Sequence, residues 1–205
     1  MQTIIKVCGM TQSDNIQAVE TLGVDWMGFI FYNRSPRCVV QKPCIMPQRA
    51  QRVGVFVNAT LEDIALHIKT YGLHYVQLHG DESPHFCHMV AALDVGVIKA
   101  FSLAEAHDLE ATRCYEGCCS YYLFDTKTKL LRGGSGAMFN WQLLTAYDGT
   151  TPFLLSGGIG PEQIEALRTF HHPQWAGIDL NSRFESSPGV KDVALLQTFI
   201  NELKQ

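Results

Sequence analysis

A lysine and a cysteine interrupt an apolar, β-branched run near the start of the chain. The stretch TIIKVCG at residues 3–9 otherwise has the composition of a buried strand. Because side chains alternate along a strand, Ile4, Lys6 and Cys8 share one face. A cation two residues from a thiol favours the thiolate, which can accept a proton. One face of this strand is therefore predicted to carry proton-transfer chemistry.

Polar side chains also stand late in several other apolar runs. They are Gln77, His79, Lys99, Asp125, Asp179 and Asn181. If these runs are parallel strands of one barrel, their ends meet and the side chains share a site. A carboxylic acid held among apolar residues such as Leu123 and Phe124 stays protonated more readily than in water, which suits Asp125 to donate a proton. We interpret Gln77 and His79 as a wall of the site rather than as catalysts.

Each of the charged and thiol residues also has a structural interpretation. A free cysteine in an apolar strand commonly behaves as a small hydrophobic residue, so Cys8 alone would fit a core position. Lys6 would equally form an ion pair with Asp179 inside the fold, and Asp125 would cap the loop after its strand. The pattern alone leaves both interpretations open.

Apolar runs rich in Val, Ile, Phe and Tyr alternate with stretches of helical spacing along the chain. The runs begin near Thr3, Trp26, Val53, Tyr75, Val97, Tyr121, Phe153 and Trp175. The predicted helices cover residues 12–22, 60–72, 83–93, 104–117, 139–147, 161–169 and 190–204. One connection differs, because prolines at 36, 43 and 47 cannot all lie inside a helix. The second helix is predicted to be missing or irregular at residues 38–52.

This alternation predicts a parallel sheet with helical crossovers. Eight strand and helix units close most economically into a (β/α)8 TIM barrel, compact for that fold, as a single domain over residues 1–205. An open doubly wound sheet is the alternative. Because several strands contribute polar side chains to one site, the pattern favours the barrel.

Loops that could hold an anion follow the last three runs. In SGGIGPEQ at residues 156–163, glycine lets backbone amides approach a phosphate, and a helix starting after Gly160 would add its positive end. Loops after strands seven and eight commonly hold phosphate in barrels. The predicted phosphate-binding residues are Gly157, Gly158, Asn181 and Ser182. The glycines of 133–136 predict either a mobile lid or a turn into the next helix.

Composition excludes several classes of partner. The chain of 205 residues is 46% apolar and 18% charged, with a net charge of -4 and no run of Lys and Arg to track a phosphate backbone. We therefore expect no nucleic-acid partner. No apolar stretch is long enough for a membrane span, and MQTIIK lacks the pattern of a signal peptide. We expect no membrane partner and a cytoplasmic location.

The seven cysteines are odd in number and irregularly spaced, which indicates reduced thiols rather than a disulfide framework. Cys114, Cys118 and Cys119 would suggest a metal site, completed by His171 and His172. Small apolar filler on a buried helix face is the commoner role for free cysteine. We predict no metal site.

Nine blocks of sequence, in order, resemble the phosphoribosylanthranilate isomerase family of tryptophan biosynthesis. The blocks are KVCGMT, GFIFYNRSPR, VGVFVN, VQLHG, IKA, LFDTKT, GGSGAMFNW, LSGGIGPEQI and PGVKD, and they run from residue 6 to 192. The resemblance implies a (β/α)8 barrel without a cofactor. It also implies conversion of N-(5-phosphoribosyl)anthranilate to an aminodeoxyribulose phosphate by an Amadori rearrangement.

The same resemblance implies Cys8 as general base, Asp125 as general acid and Arg37 as the group that faces anthranilate. The planar guanidinium of Arg37 suits a carboxylate such as that of anthranilate. Further substrate contacts are predicted from Lys6, Gln77, His79 and Asp179. The only predicted partner is the small-molecule substrate, and the sequence predicts no oligomeric state.

Two positions depart from the family pattern. Where the family reads close to DVSSGVE, this chain has DLNSRFE, so Arg183 replaces a glycine. That change predicts either a restricted approach to phosphate or an added charged contact. In the block FNW at residues 139–141, Asn140 replaces the aspartate that is more usual in the family, and an asparagine can still cap a helix.

Two other functions compete with this interpretation. A histidine-pathway aminoaldose isomerase on the same barrel would pair two aspartates as acid and base, and cysteine at position 8 argues against it. A non-catalytic barrel would tolerate the loss of either proton-transfer residue, and both are present.

Overall fold

A computed structural model of the chain describes residues 3–126 and 141–204. Eight parallel strands in these ranges form a closed barrel in chain order. The strands are β1 Ile4–Val7, β2 Trp26–Ile30, β3 Gln51–Phe56, β4 Tyr75–Leu78, β5 Gly96–Leu103, β6 Tyr121–Thr126, β7 Phe153–Ser156 and β8 Trp175–Leu180. The barrel closes where β8 pairs with β1, with Lys6 opposite Asp179. The predicted (β/α)8 barrel is confirmed, and the open sheet is wrong.

Helices connect most of the strands on the outside of the barrel. The α-helices are α1 Ser13–Glu20, α2 Leu61–Tyr71, α3 Pro84–Ala91, α4 Ile164–Thr169 and α5 Val193–Leu203. Two start as the sequence predicts, because the hydroxyls of Thr60 and Ser83 accept from the amides of Asp63 and Phe86 at 3.2 Å. Asp192 caps α5 in the same way, accepting from the amide of Leu195 at 3.0 Å.

Several predicted helices differ in type or length. In the described part of the chain, 3-10 helices cover Ala106–Tyr115, Trp141–Ala146, Pro161–Gln163 and Ser182–Phe184. The prediction of one helix over 190–204 is wrong at its start. Residues 185–191 instead form a hairpin of β9 Glu185–Ser187 and β10 Val190–Lys191, and α5 begins only after it.

The connection between β2 and β3 contains no helix, as the three prolines predict. Its last residues are tied to α1, because Oε1 of Glu20 accepts from the amides of Gln48, Arg49 and Ala50 at 2.7, 2.7 and 3.1 Å. Partial burial alone would raise the pKa of Glu20, but these amides hold that pKa below its usual value. The carboxylate of Glu20 therefore supplies an acceptor for backbone amides that would bond to carbonyl groups if this connection were a helix.

Apolar side chains fill the lower part of the barrel interior. The buried members of this inner cluster are Trp26, Val53, Ile98, Ala100, Leu123 and Leu154. Trp26 stacks on Tyr75 with ring centroids 4.5 Å apart and meets the ring of Tyr121 edge-on at 5.1 Å. Because this layer fills the lower part of the barrel, the polar side chains lie above it, toward the carboxyl ends of the strands.

The cysteine-rich segment before β6 does not gather into a ligand set. Among the described residues, no group of three or more His, Cys, Asp or Glu side chains is placed to hold a metal ion. The thiol of Cys118 lies 3.2 Å from Nε2 of His88, and Nε2 of His172 lies 3.1 Å from the carbonyl oxygen of Tyr147. In the same ranges, no helix is long and apolar enough to cross a membrane.

Candidate active site

A cavity of about 320 Å³ opens at the carboxyl ends of the barrel strands. Its lining comes from the ends of β1 to β4 and β6 to β8 and from the residues that follow them. The lining residues are Cys8, Ile30, Val55, Gln77, His79, Asp125, Ser156, Gly157, Gly158, Ile159, Asp179, Asn181 and Ser182. The structure thus brings together most of the residues that the sequence pattern assigned to one site.

Cys8 is held at the cavity by its neighbours on both sides. Its amide donates to the carbonyl oxygen of Leu180 on β8 at 2.8 Å, and the residue is only 3% exposed. On the other side, a Cβ atom at Gly28 of β2 would lie 2.7 Å from Sγ of Cys8. A glycine at position 28 therefore makes the space that the thiol occupies.

A buried ion pair lies beneath the thiol. Nζ of Lys6 is 2.8 Å from Oδ1 of Asp179, and the side chain of Lys6 is fully buried. Burial raises the pKa of Cys8, while the positive charges of Lys6 and Lys191 oppose that rise by attracting the thiolate. Asp179 and Cys8 in turn outweigh the burial of Lys6 and raise its pKa, so that it stays charged. The expected ion pair inside the barrel is present.

Asp125 faces Cys8's cavity from β6 but lies in a different environment from the expected one. Leu123 and Phe124 are fully buried, yet the carboxyl of Asp125 is 31% exposed and turns toward His79. Nε2 of His79 is 3.3 Å from Oδ2 of Asp125. The neighbouring polar group is therefore an imidazole with access to solvent, and the expected enclosure by apolar side chains is wrong.

Gln77 extends this contact down the barrel wall. Its Nε2 lies 3.1 Å from Nδ1 of His79, and the residue is 1% exposed. Within the described ranges, Oε1 of Gln77 has no hydrogen-bond partner. A buried acceptor in a cavity wall is costly unless a ligand donates to it, so Gln77 has a reason to meet the substrate.

Three of the residues expected at the site do not line the cavity. Lys6 is covered by Asp179 and Cys8, as described above. Arg37 uses Nε and Nη2 to hold both carboxylate oxygens of Glu185 at 2.6 to 2.9 Å. Lys99 turns away, because Glu82 and the carbonyl of Gly80 bind its Nζ at 3.2 and 2.7 Å.

Two loops form the end of the cavity opposite β3 and β4. Gly157 and Gly158 follow β7 with φ of 86° and 69°, in the left-handed region that favours glycine. A Cβ atom at Gly158 would meet no atom within 4 Å among the described residues. Asn181 and Ser182 face these glycines from the end of β8. The helical contribution is small, because only a 3-10 turn and the six-residue α4 follow.

Arg183 lies outside the cavity. Its Nη2 is 3.6 Å from Oε1 of Glu162, and both side chains are more than half exposed. The backbone of Arg183 stays out of the left-handed region, so position 183 does not require a glycine. The glycines of 133–136 and Asn140 lie outside the described residues.

The sequence pattern missed two charged residues near the site. Glu185 and Lys191 belong to the β9–β10 hairpin, and their side chains are 4% and 0% exposed. Lys191 stands in the block PGVKD and Glu185 in DLNSRFE, but neither lies on a barrel strand. An argument based on alternation along the strands therefore could not select them.

The fold and the cavity are those of a (β/α)8-barrel enzyme with ionisable groups at the carboxyl ends of its strands. The model of the family described as N-(5'phosphoribosyl)anthranilate (PRA) isomerase matches residues 5–202. The chain belongs to the N-(5'-phosphoribosyl)anthranilate isomerase family.

Individual relatives agree with this assignment. A protein of Phocaeicola vulgatus named N-(5'-phosphoribosyl)anthranilate isomerase is 54% identical over 202 residues, which cover 98% of each chain. A crystal structure of phosphoribosyl anthranilate isomerase from Thermotoga maritima is similar with a TM-score of 0.84 and 32% identity, over 99% of each chain. A second similar structure, of phosphoribosyl anthranilate isomerase in complex with reduced 1-(o-carboxyphenylamino)-1-deoxyribulose 5-phosphate, has 29% identity and a TM-score of 0.83 over 99% of each chain.

Proposed function

We propose that this chain isomerises N-(5'-phosphoribosyl)anthranilate, an aminoaldose, to the corresponding aminoketose in tryptophan biosynthesis, with Cys8 as general base and Asp125 as general acid. The observation that carries the assignment of roles is that a thiol from β1 and a carboxyl from β6 line one cavity. An Amadori rearrangement needs two proton-transfer groups at one sugar.

The first step is opening of the furanose ring. Asp125 donates a proton to the ring oxygen, the C–O bond breaks, and the nitrogen lone pair forms an iminium ion. His79 lies against the same carboxyl at 3.3 Å and limits the directions in which it can turn. The solvent-accessible position of Asp125 lets it recover a proton after each turnover.

The second step is removal of the proton on the adjacent carbon, which the iminium makes acidic. The thiolate of Cys8 takes this proton and gives an enolamine. In the tautomerisation to the ketone the C2 hydroxyl loses its proton and C1 gains one, and the Cys8 thiol then returns its proton to solvent. Burial opposes the thiolate, but Lys6 and Lys191 favour it, and the positive charge of the iminium adds to their effect. No electron transfer is needed, so the step balances without a cofactor.

The two ends of the substrate have different requirements. The turn at Gly157 and Gly158, with Asn181 and Ser182, is the proposed site of the phosphate, because backbone amides at left-handed glycines can surround an anion. Arg37 is the proposed partner of the anthranilate carboxylate. The ligand in the solved relative carries an o-carboxyphenyl group and a 5-phosphate, which matches this division.

Turnover of purified protein tests the proposal. Loss of the fluorescence of phosphoribosylanthranilate is followed in the parent, in Cys8→Ala and in Asp125→Asn. We expect the parent to turn over and each variant to lose at least about 10²-fold in kcat/KM, the usual range for a general acid or base. Matched controls are Cys44→Ala and Asp148→Asn, which change exposed residues. An undiminished rate in Cys8→Ala or Asp125→Asn rejects that residue's role, and an inactive parent rejects the substrate.

We also propose that residues 1–205 form one domain that works in the cytoplasm. One barrel includes strands from both described ranges, which supports a single domain. All seven cysteines are free, a usage typical of reducing compartments.

A further inference from the structure

A cluster of three charged side chains, two of them buried and one partly exposed, lies beside the cavity. Glu185 at its centre has no part in the proposed proton transfers. We call Arg37, Glu185 and Lys191 the Glu185 cluster. Arg37 donates to both carboxylate oxygens of Glu185 at 2.6 to 2.9 Å, and Nζ of Lys191 donates to Oε1 at 2.7 Å. Two cations surround one carboxylate, so the cluster has a net charge of one positive unit.

The Glu185 cluster reaches the cavity at one residue. Nζ of Lys191 also donates to Oδ1 of Asn181 at 2.8 Å, and Asn181 lines the cavity. Asn181, which Lys191 holds, and Arg37 both approach Gly9, the residue that follows Cys8. A Cβ atom there would lie 2.8 Å from Oδ1 of Asn181 and 2.9 Å from Cδ of Arg37. The cluster therefore connects the residue proposed for the substrate carboxylate to one proposed for the phosphate.

Stability gives little reason for burying these charges. Removing charged groups from water is costly, and proteins with apolar residues of similar volume in their place are often as stable. The hairpin is already fixed without charge, because the side-chain amide of Asn15 exchanges two hydrogen bonds with the backbone of Lys191 at 2.8 and 2.9 Å. Charge in the Glu185 cluster thus indicates a role in binding.

The geometry of Arg37 shows what that role is. Glu185 occupies Nε and Nη2, which form one edge of the guanidinium, and no described residue accepts a hydrogen bond from Nη1. An arginine held on one edge has fewer conformations to lose when its remaining donors bind a carboxylate. The net positive charge favours a substrate whose ring carries a carboxylate over one with a neutral ring.

We propose that Glu185 and Lys191 are positioning residues for the substrate, an inference that rests on the proposed function. Glu185 holds Arg37 ready for the ring carboxylate. Lys191 holds Glu185 and Asn181 together and so keeps the carboxylate and phosphate sites at a fixed separation. Neither residue takes part in proton transfer.

The test separates the two ends of the substrate. Binding of anthranilate and of inorganic phosphate is measured separately by calorimetry, which requires no turnover, for the parent, Glu185→Gln and Lys191→Met. In Glu185→Gln we expect anthranilate to bind about tenfold more weakly, as for loss of one preorganised charged contact, while phosphate binding stays within about twofold. In Lys191→Met both ligands should bind more weakly. The control Glu165→Gln removes an exposed ion pair with Arg168 and should change neither.

Kinetics of the full reaction provide a second measurement. Glu185→Gln should raise KM for phosphoribosylanthranilate about tenfold and change kcat by less than about threefold, because the proton-transfer groups remain in place. Glu185→Asp keeps the charge but shortens the side chain, so its KM should lie between those of the parent and Glu185→Gln. If Glu185→Gln fails to fold, Glu185→Asp is used in its place.

Equal weakening of both ligands in Glu185→Gln would mean a general structural role and overturn the proposal, as would unchanged anthranilate binding. An inactive parent that still shows the separate binding effects would reject the proposed function alone.

Discussion

The protonation of Cys8 depends on the charges that face it. Burial raises the pKa of the thiol, Lys6 and Lys191 oppose the rise, Asp179 adds to it, and Arg37 lies close enough to interact with the thiolate. Because the proposed base is the thiolate, kcat/KM should rise with pH through the pKa of Cys8 in the free enzyme.

The direction in which the pH profile of kcat/KM shifts in two variants tests this electrostatic account. Lys6→Met removes an attractive charge, so the rising limb of the pH profile should move to higher pH. Asp179→Asn removes a repulsive charge, so the limb should move to lower pH. The measurement is kcat/KM against pH for the parent and both variants, with circular dichroism to verify folding. Shifts in the same direction for both variants would contradict the account.

The space beside the thiol is a second requirement at the residue scale. A Cβ at Gly28 would lie 2.7 Å from Sγ and 3.0 Å from Cα of Cys8, so Gly28→Ala must displace Cys8, the proposed base. We expect a loss of about 10²-fold in kcat/KM, as a displacement near 1 Å can cause. The double variant Gly28→Ala/Cys8→Ala should regain part of the stability lost in Gly28→Ala. Parent-like activity in Gly28→Ala would show that the strand shifts without moving the thiol.

Sequence reasoning was most effective at this scale for residues that lie on barrel strands or directly after them. Cys8, Gln77 and Asp179 could be predicted to share a face because alternation is a fixed property of strands. Lys99 obeys the same alternation, but its Nζ forms an ion pair with Glu82 in a neighbouring loop. Such a competition between partners depends on tertiary distances, which one sequence does not contain.

At the scale of elements, the missing second helix is replaced by contacts to α1. Glu20 accepts three backbone amides from residues 48–50, and no side chain without charge would hold all three as well.

Glu20→Ala should therefore destabilise the protein by about 1.5 to 3 kcal/mol, the range for hydrogen bonds to a charged group. The free energy of unfolding by urea gives the total effect, and hydrogen exchange should speed up at the amides of residues 48–50. The control is Gln17→Ala at an exposed position of the same helix. Equal stability of Glu20→Ala and the control would show that the connection is held by other contacts.

The prolines made the absence of the second helix predictable. The sequence did not predict whether the other helices are α-helices or 3-10 helices. Leu109 and Thr112 are buried with a spacing of three residues, which fits an α-helix and a 3-10 helix alike. The start of α5 was misplaced because the apolar Val190 extends the pattern of that helix, whereas Val190 and Lys191 pair with β9 instead.

At the scale of the whole molecule, the alternation of strands and helices, together with polar side chains late in several strands, was enough to predict the closed barrel. Closure places residues distant in sequence side by side, as with Lys6 and Asp179, which are joined across the two ends of the sheet. The separate roles of acid and base follow from which side chain acts on which atom of the sugar, and neither the alternation nor the cavity determines that order.

A primary isotope effect with substrate deuterated at C2 of the ribose, the carbon that loses its proton, tests those roles most directly. In Cys8→Ala removal of that proton limits the rate, so the isotope effect on kcat/KM should be large. In Asp125→Asn ring opening limits the rate, and the effect should fall toward one. The reverse pattern, with a large effect in Asp125→Asn and none in Cys8→Ala, would contradict the assignment of Cys8 as base and Asp125 as acid.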